Sequence, residues 1–501
     1  MLFNSFAFLF LFLPVSLLAW FGLHRLGYPA PAKFALILLS LLFYGLFSVW
    51  NVPVILVSIL VNFALSRHLS ALQNREEVEE CSLLGKKRVL LAAGVSFNIL
   101  YLCAFKYASL YEGFLQSRFS LPEDFSILFP IGISYYTLSQ ISFLVDRYRG
   151  EVEHDTLLNY TLTTVFFPKL AEGPILRYGE VAPQFHDEER RRFSLEDFGR
   201  GLVLLVFGMA KKVLIADRLA PAAAFGFANA YYLDTLTVIV FLLAVVFQLY
   251  FDFSGYIDMA LGIARMFRID LPENFNAPFQ ARNFADFWRR WHMSLTGFFT
   301  RYVYIPLGGS RKGAFRTACN VILIFVLSGL WHGTSWNYLY WGVLSGILVV
   351  LARRFAREPS ERVKSRAGVL ALQALNTAVF AFTLVFFGAE RLDISYAILR
   401  RFFYPTWPGF LYRMANTLEI PEFYILNQAV KRLAPGMADL VCLQELIFLL
   451  ALSILLVRGR RAKEIADTMA WTKKNGILVG ILTAWCLLSL QGVTTFLYFK
   501  F

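Results

Sequence analysis

Two of the six histidines lie beside long apolar runs. His292 stands in 287-FWRRWHMSL-295, and His332 ends the run 319-CNVILIFVLSGLWHG-333. An ionisable side chain at membrane depth is costly unless it faces a cavity or a partner, so each histidine is a functional candidate. If both face one cavity, a neutral imidazole can take a proton from a hydroxyl or thiol, which is general-base chemistry for acyl transfer. The structural alternative is that each histidine only hydrogen-bonds neighbouring helices together.

Metal binding is the weaker interpretation of the two histidines. No HxxxH or HExxH pattern and no nearby cysteine accompanies His292 or His332. The five cysteines are scattered without a CxxC spacing, so neither a disulfide framework nor a metal site is predicted. The other four histidines lie in polar stretches, where a solvated side chain is the simplest interpretation. We expect no bound metal or cofactor.

Three tryptophans flank the two histidines in sequence and are candidates to shape a site. On a continuous helix, Trp288, Trp291 and His292 would share one face, at positions i, i+3 and i+4. Trp331 directly precedes His332.

Arg289 and Arg290 have two interpretations that the sequence leaves open. Asp286 can pair with either of them at helical spacing, which would be a structural role. Alternatively, a guanidinium is suited to binding the phosphates of a donor substrate, because its planar fork matches phosphate geometry.

Two carboxylates lie in the apolar and aromatic stretch 248-QLYFDFSGYIDMALG-262. Asp252 and Asp258 need cationic partners there, and the basic segment 287–316 is the expected supplier. Structural ion pairing is the favoured role, with Asp252 also a candidate to shape the site.

The last residues, 494-TTFLYFKF-501, contain a phenol near the end of the chain. An aromatic belt at the membrane interface explains this stretch without any chemistry. Tyr498 could instead be a covalent acyl carrier, if a base activates its hydroxyl.

The elements that must position these residues are membrane helices. Of the 501 residues, 57% are hydrophobic and 17% are charged, which suits a lipid solvent. Apolar runs long enough, or nearly long enough, to cross about 30 Å of hydrocarbon predict roughly ten to twelve spans. The run 166-FFPKLAEGPIL-176 is expected to enter the membrane without crossing it. We therefore predict one all-α, polytopic membrane domain over 1–501.

The net charge of +13 does not indicate a nucleic-acid partner, because Lys and Arg fall in short loops between apolar runs. Such loops are expected on the cytoplasmic side. Counting spans between them places both termini outside and predicts interfacial helices for 389–442 on that outer side. The pattern assigns no side to 157–316. The basic clusters are Arg75 with Lys86–Arg88, Arg190–Arg192, Arg353–Arg366 and Arg458–Lys474.

A transporter or channel with a histidine proton relay is an alternative from another functional class, since intramembrane histidines serve there too. Transporters often show repeated halves with interrupted helices at equivalent positions. We detect no such repeat in this sequence.

Together these stretches resemble the membrane-bound O-acyltransferase family. The resemblance is to its bacterial branch of alginate, cellulose and peptidoglycan O-acetyltransferases, and more distantly to the teichoic-acid D-alanylation acyltransferase. It extends over 130–342, the motif core, in which both histidines lie. The matching segments are 130-PIGISYYTLSQISFLVDRYRG-150, 166-FFPKLAEGPILRY-178, 250-YFDFSGYIDMALG-262, 273-ENFNAPF-279, 284-FADFWRRWHMSLTGFFTRYVYIPLGGSRKG-313 and 328-SGLWHGTSWNYLYWG-342.

The resemblance implies a fold and an activity. The fold is a ring of tilted helices, with re-entrant and interfacial helices, around a central tunnel. The activity is O-acetylation of an exported polysaccharide from the bacterial inner membrane, with acetyl-CoA as the cytoplasmic donor. A periplasmic SGNH-type acetyltransferase is the implied partner, docked on the outer loops. A lipid or sterol acyltransferase is disfavoured by the bacterial-type motifs.

The resemblance also implies roles for single residues. His332 matches the histidine regarded as catalytic, and His292 matches the second histidine of the site. Tyr498 lies in a C-terminal stretch like the tyrosine-bearing ends seen in this branch or its small partner proteins, which makes it a candidate acyl relay.

This chain departs from the family pattern at three positions. Lys169 and Glu172 stand where relatives often have uncharged residues, and Gly388 stands where relatives often have arginine. These departures lie outside the catalytic motif, but they could reflect a different donor or partner.

Overall fold

The computed structural model describes residues 1–73, 80–119, 126–152, 155–356, 362–418 and 420–490. Tyr498 and His154 lie outside the described residues. Within them the protein is helical, without a β-strand, and its one isolated β-bridge joins Phe275 to Trp291. This agrees with the all-α class predicted from the sequence.

The α-helices are α1 (Leu13–Arg25), α2 (Pro29–Gly45), α3 (Asn51–Gln73), α4 (Glu80–Lys106), α5 (Glu112–Phe119), α6 (Ile133–Tyr148), α7 (Leu157–Val165), α8 (Phe167–Leu170), α9 (Tyr178–Val181), α10 (Leu195–Ala210), α11 (Asp217–Ala228), α12 (Thr235–Met266), α13 (Phe284–Arg290), α14 (Met293–Phe299), α15 (Ala314–His332), α16 (Trp336–Leu351), α17 (Arg366–Gly388), α18 (Leu392–Arg401), α19 (Gly409–Ala415), α20 (Tyr424–Leu433), α21 (Ala438–Arg458), α22 (Ala462–Thr468) and α23 (Lys473–Leu488). Segments of π-helix are Phe8–Phe12, Lys211–Ala216, Thr300–Tyr304 and Ala352–Ala356. Short 3₁₀ turns are Ala108–Leu110, Ala182–Phe185, Pro278–Gln280, Pro421–Phe423 and Pro435–Met437.

Eight helical segments in the described part of the chain are long and apolar enough to cross a membrane. This is fewer than the roughly ten to twelve runs expected from hydropathy, because several runs form shorter helices. The run near α2 gives a helix of 17 residues, and the run near α6 gives one of 16. The protein is therefore a multi-pass membrane protein with shorter helices among its spans.

The chain divides into two compact units. The first comprises 1–202 and 260–273, and the second comprises 203–259 and 274–501. The single membrane domain expected for 1–501 stays a prediction.

Buried polar side chains join three helices of the first unit. The side-chain amide of Asn62 on α3 donates to Oε1 of Gln140 on α6 at 2.6 Å, and that of Asn98 on α4 donates to Oδ1 of Asn62 at 2.6 Å. Ser58 donates to the same Gln140 oxygen at 2.5 Å. Side-chain hydrogen bonds of this kind hold helices together where lipid offers no other partner.

The segment 166–176 is buried throughout and consists of α8 and an irregular stretch. Lys169 and Glu172 lie within it with 4% and 3% of their surface exposed. Irregular backbone inside a membrane is tolerated where protein surrounds it, so the burial of 166–176 is compatible with the expected re-entrant segment, which stays a prediction.

Glycines bring α15 and α16 of the second unit into close contact. A Cβ at Gly329 would lie 2.3 Å from the carbonyl oxygen of Tyr338, and one at Gly342 would lie 2.5 Å from that of Phe325. Small residues at such positions let membrane helices approach closely. This contact fixes the end of α15, where His332 lies.

Short helices lie in the segment 389–442, whose last residues begin α21. In α20, Ile425 and Leu433 are 83% and 86% exposed. An exposed apolar face suits the interfacial placement expected for this segment, which stays a prediction.

Candidate active site

His332 is the last residue of α15 and is buried among aromatic rings. Its ring centroid lies 4.8 Å from that of Trp331, 5.4 Å from that of Trp341 and 5.1 Å from that of Phe387. The side chain is 5% exposed. Because α16 and α17 supply two of these rings, the packing of three helices sets the orientation of the imidazole.

His292 occupies a left-handed backbone conformation between α13 and α14, with φ 46° and ψ 55°. A side chain other than glycine in this conformation costs of order 1–3 kcal/mol and persists only where surrounding structure holds it. Here the backbone N–H of Asn276 donates to the carbonyl of Arg290 at 3.0 Å, and that of Met293 donates to the carbonyl of Asn274 at 2.9 Å. These bonds hold His292 in place from both sides.

The prediction that Trp288, Trp291 and His292 share one helix face is wrong. Helix α13 ends at Arg290, and Trp291 is extended, with φ −103° and ψ 130°. The reason is the pairing of Phe275 with Trp291, a contact distant in sequence that replaces the helical turn.

Both histidines line one cavity in the second unit. The cavity has a volume of about 140 Å³. Trp288 and Trp291 line it as well, so the predicted residues meet there without sharing a helix face. Trp331 adjoins both histidines, since its ring centroid also lies 6.2 Å from that of His292.

Asp286 binds both neighbouring arginines. Its carboxylate lies 3.0 Å from Nη2 of Arg289 and 3.0 Å from Nε of Arg290. The two arginines differ in their other contacts. Arg289 lines the cavity, whereas Nη1 of Arg290 donates to the carbonyl of Asn276 at 3.4 Å.

Asp252 does not line the cavity but forms a buried ion pair. Nζ of Lys212 lies 2.6 Å from Asp252 and 2.9 Å from Asp217, and Nζ of Lys211 lies 2.5 Å from Asp258. These cations come from the π-helical segment after α10, not from 287–316 as the sequence suggested. The sequence feature that indicates these ion pairs is Lys211–Lys212, which interrupts an apolar run.

The adjacent residue on α12 contacts the site. The ring of Phe253 lies edge-on to His292, with centroids 4.9 Å apart. The ion pairs of α12 therefore lie next to a residue that packs on the imidazole.

Sequence reasoning missed three further residues around the site. Trp341 and Phe387 line the cavity beside His332, and Arg353 lines it from the π-helical segment after α16. Trp341 lies in the quoted motif 328–342, and Arg353 begins a basic cluster, but no local pattern shows that either reaches the cavity.

Gly388 directly follows Phe387. A Cβ at this position would lie 2.4 Å from Cζ of Phe227, so the ring of Phe227 fills the space that a side chain would need. In this chain the position serves packing.

The arrangement can support proton transfer. Two imidazoles line one cavity among aromatic rings, and a neutral imidazole can accept a proton from a hydroxyl or thiol that enters it. Among the described residues, no group of three or more His, Cys, Asp or Glu side chains is placed to hold a metal ion.

Residues 96–387 match the model of MBOAT, the membrane-bound O-acyltransferase family. The chain is 35% identical over 432 residues to a peptidoglycan O-acetyltransferase of Helicobacter pylori, covering 80% of this chain and 79% of that protein. It is 34% identical over 419 residues to a probable alginate O-acetylase of Azotobacter vinelandii, covering 80% and 78%. It is 29% identical over 255 residues to a teichoic acid D-alanyltransferase of Streptococcus thermophilus, covering 48% and 61%. This chain belongs to the membrane-bound O-acyltransferase family and is an acyltransferase.

Proposed function

We propose that this acyltransferase takes an acetyl group from acetyl-CoA on the cytoplasmic side of the bacterial inner membrane. The acetyl group passes outward for O-acetylation of an exported polysaccharide of the alginate, cellulose or peptidoglycan type. The observation that carries the proposal is that His292 and His332 line one cavity with aromatic walls. Relatives named for O-acetylation of peptidoglycan and alginate, matched over about four fifths of this chain, support the acetyl group and the polymer.

In the proposed reaction His332 is the general base. Its imidazole takes the proton of an acceptor hydroxyl as the hydroxyl oxygen attacks the thioester carbonyl carbon. The carbon–sulfur bond then breaks, and the departing thiolate receives the proton from the imidazolium. His292 assists by orienting the acceptor or the donor in the same cavity.

The acceptor hydroxyl is the phenol of Tyr498 or a hydroxyl beyond it. If Tyr498 carries the acetyl group, a second transfer delivers it to the polymer, directly or through a periplasmic SGNH-type partner on the outer loops. The placement of both termini on the outer side by charge supports a C-terminal relay that works there.

The donor side of the cavity follows from the charges of the chain. Arg353 lines the cavity and begins the basic cluster Arg353–Arg366, which the positive-inside rule places in the cytoplasm. Membership in an acyltransferase family decides against the transporter or channel alternative.

The test is acetyl transfer by the purified protein in sealed proteoliposomes, with labelled acetyl-CoA supplied on one side only. We expect release of free coenzyme A and labelled ester on acceptor polysaccharide or on the protein itself. Label should appear only when acetyl-CoA is supplied on the side of the membrane where Arg353 lies. To identify that side, a cysteine is introduced near the Arg353 loop and its reaction with an impermeant thiol reagent is measured. No turnover of acetyl-CoA from either side would overturn the proposed donor.

A further inference from the structure

Four basic side chains of the first unit lie together, and we call them the His24 cluster. They are His24 in the last turn of α1, Lys33 near the start of α2, and His186 and Arg191 in the segment before α10. Nη2 of Arg191 donates to the carbonyl of His186 at 2.9 Å. The charges of Lys33 and Arg191 act on both histidines. Since like charges repel at short range, an anion bound among these side chains would stabilise the cluster.

Several donors in and beside the His24 cluster are available to a ligand. Within the described residues, Nε1 of Trp20 and Nε of Arg191 are buried without a hydrogen-bond partner. The same holds for Nε2 of His24, whose Nδ1 donates to the carbonyl of Trp20 at 2.7 Å, so that Nε2 donates when the ring is protonated. The rings of Trp20 and His24 are direct neighbours, with centroids 4.3 Å apart. Because buried donors are normally satisfied, these atoms favour a ligand that supplies acceptors.

Acidic side chains neutralise little of this charge. The loop from His24 to Lys33 contains no aspartate or glutamate. Glu188 lies 3.8 Å from Nη1 of Arg191, but its side chain is 93% exposed. Nζ of Lys33 lies 2.8 Å from Oδ1 of Asn159, which is a neutral acceptor. An exposed ion pair is screened by water, so the His24 cluster keeps a net positive charge.

Apolar side chains adjoin the His24 cluster. Leu26 and Tyr28 are exposed in the loop between α1 and α2. Phe193 is also exposed, and its ring lies edge-on to that of Phe21 on α1, with centroids 5.5 Å apart. Basic pockets beside membrane helices bind the headgroups of anionic lipids, and apolar surface next to them can contact the acyl chains. A free phosphate ion would gain nothing from these apolar side chains.

We propose that the His24 cluster binds the phosphate of an anionic phospholipid headgroup. Lys33 and Arg191 supply permanent positive charges, and the free donors of Trp20 and His24 add hydrogen bonds to the phosphate oxygens. The acyl chains lie along the exposed apolar side chains at this end of α1. The inference does not rest on the proposed function, since lipid binding is measured without acyl transfer.

The experiment measures binding of phosphatidylglycerol to the full chain by native mass spectrometry from detergent micelles. Phosphatidylcholine is the comparison lipid, because it carries a phosphate but no net charge. The cluster variants are Arg191→Gln and Lys33→Gln, and the amide of the latter can still donate to Asn159. The matched controls are Arg192→Gln and Arg25→Gln, which remove exposed arginines next to the cluster in sequence.

Each cluster variant should bind phosphatidylglycerol about tenfold more weakly than the wild type, as loss of one charge-assisted contact would produce. Both controls should bind it like the wild type. Phosphatidylcholine binding and the unfolding temperature in detergent show whether each variant is folded. Lys33 is buried, so if Lys33→Gln does not fold, Arg191→Gln decides the outcome.

Three results would overturn the proposal. One is equal loss of phosphatidylglycerol affinity in Arg191→Gln and Arg192→Gln, which would indicate general surface charge. Another is unchanged affinity in every folded cluster variant. The third uses inorganic phosphate as the probe. If inorganic phosphate raises the unfolding temperature of the wild type but not of Arg191→Gln, and phosphatidylglycerol raises neither, the site binds free phosphate and not a lipid.

Discussion

The rings of His332 and Phe387 lie edge to face, with centroids 5.1 Å apart and an interplanar angle of 79°. Phe387 also contacts Trp341, at 5.1 Å, and both line the cavity. A carbonyl carbon that reacts near the His332 imidazole must therefore place its alkyl group close to these rings. The size of the acyl group that fits depends on them.

Replacing Phe387 by valine should change the selectivity for the acyl group. The smaller side chain leaves space beside His332, so we expect the ratio of propionyl to acetyl transfer to rise about tenfold, as for a methylene accommodated in a pocket. Phe386→Val is the matched control, since Phe386 is also buried but stacks on Tyr340, at 6.0 Å, and does not line the cavity. Rates with acetyl-CoA and propionyl-CoA measure the ratio, and an equal shift in both variants would refute this role.

Removing Lys212 should destabilise the protein strongly. Lys212→Met leaves the buried carboxylate of Asp252 and the partly exposed one of Asp217 without this cation, and breaking a buried pair costs about 3–5 kcal/mol. Adding Asp252→Asn should recover part of that loss. Thermal unfolding in nanodiscs measures both effects.

The control for Lys212 is an exposed ion pair of similar length. Nε of Arg460 lies 2.8 Å from Oε1 of Glu464, with the two side chains 56% and 41% exposed. Exposed pairs contribute about 0–1 kcal/mol, so Arg460→Met should unfold near the wild-type temperature. Wild-type stability of Lys212→Met would show that the buried pairs are dispensable.

A larger side chain at Gly329 should separate α15 from α16. Gly329→Leu places atoms where the carbonyl of Tyr338 lies, so we expect a lower unfolding temperature and loss of acetyl transfer, because His332 ends α15. Gly480→Leu on α23 is the control, since nothing lies within 4 Å of a Cβ there. Similar behaviour of the two variants would mean that the glycine contact does not position the histidine.

The acyl relay makes a direct prediction about Tyr498, which lies outside the described residues. After incubation with acetyl-CoA, intact-mass analysis of the C-terminal peptide should find one added acetyl group on the wild type and none on Tyr498→Phe. Tyr498→Phe should also lose polymer acetylation. Wild-type acetylation by that variant would remove the relay.

The sequence predicts the membrane class and singles out the two histidines, because both depend on local signals. Long apolar runs specify membrane helices directly. An imidazole beside such a run is a functional candidate because placing it at membrane depth costs free energy. The resemblance of the WRRWH and LWHG motifs to one family assigns His292 and His332 to the same site. Their meeting in one cavity agrees with that expectation.

What the sequence could not supply depends on contacts between distant segments. The turn at His292 follows from pairing with 274–276, and no helical periodicity in 287–295 reveals it. The partner of Asp252 is Lys212, on a different helix, and Arg353 reaches the cavity only because of how α16 packs. Such positions are set by tertiary structure.

The most direct test of the central claim is the rate of acetyl transfer from acetyl-CoA by His332→Ala in proteoliposomes. The amount of the variant protein and its unfolding temperature should equal those of the wild type. We predict a fall of at least about a hundredfold, the lower end of what a general base contributes. A variant that folds normally and transfers acetyl at the wild-type rate would contradict the assignment of His332 as the base.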